Sequence, residues 1–192
     1  IMIPVISSLK KIIPFLLLFF VRCDKPYIEV PYEGDIILKT QEEVDEFGSN
    51  GYTSITGSIE ITAQSNINRC TSLALFYSLR EIGGDFRISE TQLSDLEGLN
   101  NLRSIGGDLL ISYNASLTDL DGLENLTYVG DCLAISGNES LLNIDGLRNL
   151  SSPISDLTIS GNDVLENIDG LSNLQSINSL YLDNNPELTN ID

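Results

Sequence analysis

Hydrophobic and polar positions in the second half of the chain alternate between two rhythms. In "DLLISYN" (108–114), Leu109 and Ile111 stand two apart while Asp108, Leu110 and Ser112 take the opposite positions. That predicts a short strand with one aliphatic face turned inward. Leu117, Leu120, Leu123 and Leu126 then follow at steps of three, which suits a tight, 3₁₀-like or irregular return segment. The pattern recurs after 24 residues, so that Gly106, Leu109, Ile111, Asn114 and Gly122 reappear as Gly130, Leu133, Ile135, Asn138 and Gly146. Leu157, Ile159, Asn162, Gly170 and Leu174 carry it one copy further. Residues 81–102 fit with one residue fewer in the turn, and hence with no counterpart of Asn114. "SITGSIEIT" (54–62) reads as a degenerate first copy, and residues 176–192 continue through Asn185 and Leu188.

A fixed period of this length predicts a solenoid. Each coil sends a ring of aliphatic side chains to the centre. Stacked coils pair their strands into one parallel sheet at about 4.8 Å per step, and no coil buries its ring alone. The pairs Asp121-Gly122, Asp145-Gly146 and Asp169-Gly170 mark turns, with glycine expected to supply positive φ. Asn114, Asn138, Asn162 and Asn185 fall just after the strand in successive copies. There they are expected to turn inward and bond the backbone of the bend, stacking as a ladder. Asn114, Asn125, Asn138 and Asn149 also open N-x-[ST] glycan acceptor patterns, which the repeat itself generates.

The motif "IGGDLxIS…N…SLxxLDGLxNL" resembles the receptor L-domain family, a leucine-rich-repeat relative. Its nearest likeness is to the tandem-repeat surface and secreted proteins of Bacteroidetes-type bacteria. The resemblance covers about residues 34–192, including the lead-in "GDIILKTQEEVDEFGSNGYTSITGSIEI". It implies a right-handed, β-rich solenoid of the receptor L-domain type: one parallel sheet of short strands, irregular or 3₁₀ turns on the back, and a short capping helix. Copies 82–174 are read with an extra residue before the strand, whereas Ile177-x-x-Leu180-x-Leu182-x-x-Asn185 follows the ordinary leucine-rich pattern.

Ahead of the repeats, the segment 34–52 reads as the N-terminal cap. Thr40 and Glu43 form a capping box, Val44 and Phe47 share a helix face, and Gly48 is placed to stop the helix. Residues 1–22 have Lys10 and Lys11 before the apolar run "IIPFLLLFFV", followed by Arg22 and Cys23. Ten apolar residues are too few for a membrane-spanning helix, which needs about 20. A basic start, a short apolar run and a nearby cysteine predict a signal peptide, with Cys23 as the lipidation site. Residues 23–33, with two prolines, are read as a tether before the solenoid of 34–192.

Composition narrows the partners. The chain carries 10 basic against 28 acidic residues, a net charge of −18. Removing 1–22 deletes three basic residues and no acidic ones, leaving 7 against 28, or −21. Such a field excludes nucleic acid as a partner. The repeated aspartates follow neither EF-hand nor nonapeptide calcium spacing, so no metal site is expected. Cys70 and Cys132 lie three coil steps apart, about 14 Å, beyond disulfide reach. Two free thiols are expected, with Cys132 in the place of Asp108.

The chain has no histidine, and its serines and carboxylates are locked into the repeat rather than gathered at one irregular site. No cofactor and no catalytic residue are expected. The reading is a non-catalytic cell-surface or secreted binding or adhesion module, exported and lipid-anchored at the envelope, with a protein or glycan partner. The alternatives are a structural spacer of a larger envelope protein and, more remotely, a polysaccharide-acting β-solenoid enzyme. Strand phase places Glu60, Arg87, Leu110, Ala134, Thr158 and Tyr181 in one outward row. Of these, Arg87, Leu110, Thr158 and Tyr181 are the candidate binding residues. The last repeat is expected to expose an edge through which the chain self-associates.

Overall fold

The computed structural model describes residues 28–63, 69–189 and 191. The signal segment 1–22 and Cys23 lie outside the described residues. The fold is a stack of coils whose strands all pair in parallel. Strands β1 (Pro31–Tyr32), β3 (Ser54–Ile55), β5 (Glu81–Ile82), β7 (Ser104–Ile105) and β9 (Tyr128–Val129) form a five-stranded sheet in that order. Strands β2 (Ile36–Leu38), β4 (Ile59–Ile61), β6 (Phe86–Ser89), β8 (Leu109–Ser112), β10 (Leu133–Ser136), β11 (Ile154–Ser160) and β12 (Ile177–Asp183) form a seven-stranded sheet, again in chain order. Short 3₁₀ turns such as Asp121–Leu123, Asp145–Leu147 and Asp169–Leu171 form the back.

The hydrophobic pattern pointed to one sheet, and the structure adds a second. The additional sheet arises because Ile55, Ile82, Ile105 and Val129 also point inward and are fully buried, so each coil has two inward-facing runs separated by a corner. Glycine makes that corner. A Cβ on Gly83, Gly106 or Gly130 would stand 2.3, 2.2 or 1.9 Å from the carbonyl oxygen of Thr56, Gly83 or Gly106 in the preceding coil. The first sheet also reaches into the stretch read as a tether, since Pro31 and Tyr32 pair with Ser54 and Ile55.

The corner disappears earlier than the repeat suggested. The extra residue expected in copies 82–174 persists only through β10. In the next copy Ile154 stands three residues before Leu157 and pairs with Ile177, so β11 and β12 are single seven-residue strands. The five-stranded sheet therefore ends at β9. Val129 would be left with an unpaired N–H and C=O, but the buried Ser152 hydroxyl takes both. It accepts from Val129 N at 3.0 Å and donates to Val129 O at 3.0 Å. Among the described residues β12 is the outer edge of the larger sheet, with Leu180 and Tyr181 more than half exposed.

The turn glycines have a different reason from the one expected. Of Gly98, Gly122, Gly146 and Gly170, only Gly98 has positive φ. What the column requires is space: a Cβ on Gly122, Gly146 or Gly170 would fall 2.0, 1.9 or 2.0 Å from the carbonyl oxygen of Leu96, Leu120 or Ile144. The coils touch backbone to backbone here.

Helix α1 (Gln41–Gly48) covers the first coil with Val44 and Phe47, both buried. Thr40 Oγ1 accepts from Glu43 N at 3.2 Å, while the Glu43 carboxylate reaches back to Lys39 N rather than to Thr40. Gly48 does not stop the helix through positive φ. It is buried against Leu75, whose Cβ would lie 2.8 Å from an added Cβ; Ser49 is the C-cap. Phe47 packs with Tyr32, Tyr52 and Phe76 at centroid distances of 5.0 to 5.7 Å, tying cap, first sheet and first 3₁₀ turn (Ala74–Phe76) together.

The asparagines form a continuous ladder. Asn114, Asn138 and Asn162 have no exposed surface. Asn138 Oδ1 accepts from Asn114 N (3.1 Å) and Asn114 Nδ2 (3.2 Å), while Asn138 Nδ2 donates to Ile111 O (3.0 Å). Asn162 and Asn185 repeat this arrangement one and two coils on. The shortened copy has a counterpart after all. Thr91, also buried, donates its N–H (3.1 Å) and hydroxyl (2.7 Å) to Asn114 Oδ1. A glycan on Asn114 or Asn138 is incompatible with this packing, because the atom that would carry it is buried and bonded.

A second row runs along the back, where Asn101, Asn125, Asn149 and Asn173 each donate Nδ2 to a carbonyl of the previous coil at 2.6–2.7 Å. These side chains are exposed, so water can replace their bonds. Asn138→Ala should therefore lower unfolding free energy by the upper part of the ~1–3 kcal/mol expected for stranding buried polar groups, and Asn125→Ala by a few tenths of that. Urea unfolding midpoints decide it: an Asn138→Ala midpoint no lower than that of Asn125→Ala would contradict the ladder's role.

Candidate functional site

The larger sheet presents three outward columns, set by the alternation along each strand. The middle column is Ile37, Glu60, Arg87, Leu110, Ala134, Thr158 and Tyr181, each paired in register with the next. Strand pairing thus places the four candidate residues in one line. Arg87 adjoins Leu110 and Thr158 adjoins Tyr181, but Arg87 and Tyr181 are four strand steps apart, about 19 Å at the usual spacing. Arg87 and Tyr181 are exposed, while Leu110, Ala134 and Thr158 are half-buried.

Both larger side chains are held locally. Arg87 Nη2 meets Asp85 Oδ2 at 2.7 Å, and the Tyr181 hydroxyl donates to Asp183 Oδ2 at 3.1 Å. The Asp183 carboxylate raises the Tyr181 phenol pKa, first through that bond and then through its charge.

On one side of this column runs a row of hydroxyls: Thr62, Ser89, Ser112, Ser136 and Ser160. Ser89 donates to Thr62 at 3.1 Å and Ser160 to Ser136 at 3.0 Å. On the other side runs an acidic row of Asp35, Ser58, Asp85, Asp108, Cys132 and Asp156. Much of it serves the fold. Asp35, Ser58, Asp85 and Asp108 each accept a backbone N–H from the coil above, at 2.7–3.1 Å.

Cys132 interrupts the acidic row, and the carboxylates of Asp108 and Asp131 approach its sulfur within 4.8 Å. Cys132 Sγ lies 3.8 Å from Asp156 Oδ2. Desolvation and then the charges of Asp108 and Asp131 push its thiol up to about 11. The thiol is thus held protonated at neutral pH, where a thiolate would be needed to ligate a metal or attack a substrate. Cys70 is fully buried, and burial likewise raises it to about 11. Both cysteines are free.

The chain is thus a parallel β-solenoid with a fixed apolar interior and a variable outer face. The receptor L domain family model matches residues 52–118, from just before β3 to the turn after β8. Receptor L domains are in general non-catalytic binding modules. No curated protein and no solved structure matches the chain.

Sequence reasoning located the middle column but passed over Tyr113, the back asparagine row and Ser152. The back row was legible as the repeated "NL" after each DGL turn. Ser152 carried no signal, since its role appears only where the corner is lost.

Cys132 should resist alkylation despite its partial exposure. With iodoacetamide, modification of the Cys132 peptide is expected to be slow at pH 8 and to rise about tenfold per pH unit toward 11, because the thiolate is the nucleophile. Asp131→Asn removes one opposing charge and should speed the reaction at pH 8. Rapid wild-type labelling at pH 8, read by mass spectrometry, would contradict this account.

Proposed function

We propose that the chain is a non-catalytic binding module of the cell surface or secreted space, presenting the outer face of its seven-stranded sheet to a protein partner. One observation carries the reading. Inward columns stay apolar in coil after coil, whereas the outward column runs through isoleucine, glutamate, arginine, leucine, alanine, threonine and tyrosine. The core is fixed and the face is free to vary. Arginine and tyrosine are the residue types in which interface energy concentrates, so Arg87 and Tyr181 are the anchors, with Leu110 and Thr158 supplying contact area. The absence of histidine and the tight local bonding of the face carboxylates favour binding over catalysis.

The test uses solubilised surface proteins of the source cell, passed over the immobilised chain. A partner retained by wild type and by Glu124→Lys, a change on the exposed back, should be lost with both Arg87→Glu and Tyr181→Ala. Retention by both sheet variants together with loss in Glu124→Lys would place the site on the back instead.

The same reading puts the module at the envelope through a lipid on Cys23, as its place after the apolar run suggests. No helix among the described residues is long and apolar enough to cross a membrane. In a Gram-negative host the full chain should fractionate with membranes, and Cys23→Ser should move it to the soluble fraction. Equal partition of both forms would sink lipid anchoring.

A further inference from the structure

The residue that follows each strand of the larger sheet is left-handed in five successive coils. These residues are Glu90, Tyr113, Gly137, Gly161 and Asn184, with φ of 56°, 57°, 66°, 64° and 52°. Glycine and asparagine enter this conformation readily, whereas tyrosine does so under strain. Tyr113 is also 67% exposed, the most of any large apolar residue among those described.

Its ring is nevertheless seated. It lies against Gly137, where an added Cβ would stand 2.8 Å from Tyr113 Cδ1 and 3.0 Å from Cε1, so a side chain at 137 would displace it. One coil further, a Cβ on Gly161 would meet nothing nearer than the Gly137 backbone at 3.6 Å. The sequence thus places a strained tyrosine, a glycine seat beneath it and a second bare position beside it in consecutive coils. The turn itself requires the left-handed backbone in every one of these coils, and glycine or asparagine would meet it without strain, so it is the tyrosine held there that points to function.

The surroundings say which function. Ser112 directly precedes Tyr113, and its hydroxyl bonds no described residue; Ser136, which precedes Gly137, only accepts from Ser160. The residues next to Tyr113 and Gly137 along their strands are thus hydroxyl-bearing serines, and the ring's one close neighbour in the next coil is glycine rather than an aliphatic side chain. A protein anchor would need apolar neighbours to exclude water around the ring. A pyranose needs the opposite: a flat aromatic face for its C–H side and polar groups at the rim for its hydroxyls. The hydroxyls repeat at the strand spacing of about 4.8 Å, close to the length of one sugar unit in an extended β-1,4-linked glycan. A net charge of −18 and Glu90 in the same column disfavour an anionic sugar.

We propose that Tyr113 is a stacking platform for a neutral, extended glycan, with the Ser112 and Ser136 hydroxyls bonding its sugar hydroxyls. The site borders the middle column on the same face of the sheet but uses neither Arg87 nor Tyr181. Binding is measured by calorimetry with cellohexaose, mannohexaose and xylohexaose, and with a hyaluronan hexasaccharide as the anionic arm. At least one neutral hexasaccharide should bind at millimolar concentration or better, and hyaluronan more weakly. Tyr113→Gly should weaken binding tenfold or more while melting no lower than wild type, since glycine suits the left-handed backbone. Tyr113→Phe should bind within threefold of wild type, and Arg87→Glu should bind unchanged. The proposal is overturned if no neutral hexasaccharide binds, or if hyaluronan binds as well as they do. It is equally overturned if Tyr113→Gly binds normally, or if Tyr113→Phe loses as much as Tyr113→Gly.

Discussion

Each coil of a parallel solenoid must leave its strand and turn back, and the bend carries backbone groups into an interior with no water. Strand pairing cannot reach them, because the ladder has already ended. The line from Thr91 through Asn114, Asn138, Asn162 and Asn185 meets this demand with one side chain per coil. An amide suits the task because it both donates and accepts: Nδ2 turns back to a strand carbonyl while Oδ1 receives the previous coil's N–H. Each rung is completed by its neighbours, so the ladder ties together coils that the aliphatic rings alone would merely pile up. It also holds the sheet in register, and so keeps the outward columns straight.

How much of this could be read from sequence depended on whether a residue's role was set within one coil or between two. Leu109 and Ile111 alternate because of the pleat, and Asn114 recurs because every bend has the same problem; both are visible in one line of text. The glycines of the DGL turns were visible too, but the reason for them was not. Positive φ is a local property that Gly122, Gly146 and Gly170 do not show, whereas contact with Leu96, Leu120 and Ile144 carbonyls belongs to the stack. The second sheet was hidden for the same reason, since two-residue strands such as Ser104–Ile105 carry no periodicity of their own. The loss of the corner at Ile154 is a shift of a single residue within a repeat whose strands keep their 24-residue step from Leu109 to Leu157, and pairing with Ile177 reveals it.

The candidate site divides along the same line. Phase alone gave the middle column with Arg87, Leu110, Thr158 and Tyr181, because alternation fixes which residues face out. Their local partners, Asp85 and Asp183, sit two positions away along the chain and are equally legible. Tyr113 was not, because it lies just beyond the strand, where period-two reasoning stops. Its importance comes from a φ value and from the glycine one coil further on.

Stacking identical coils also stacks identical charges, and this limits what the face can be. Carboxylates directly opposite on neighbouring strands repel, so an unbroken aspartate column at about one strand spacing would work against the fold. The acidic row meets this in two ways. Asp35, Asp85 and Asp108 each accept a backbone N–H from the coil above, and Asp85 is further offset by Arg87. Ser58 and Cys132 replace aspartate at intervals, keeping the acceptor side of the arrangement at Ser58 and removing one charge from the column at each. The thiol of Cys132 is raised first by desolvation and then by the same repulsion, from Asp108 and Asp131, so a neutral S–H is stable where a further anion would not be. Much of the negative charge on this side of the sheet is thus committed to the stack. This side of the sheet is thus a barrier to further anions, and the groups left free for other bonds lie in the two columns beside it.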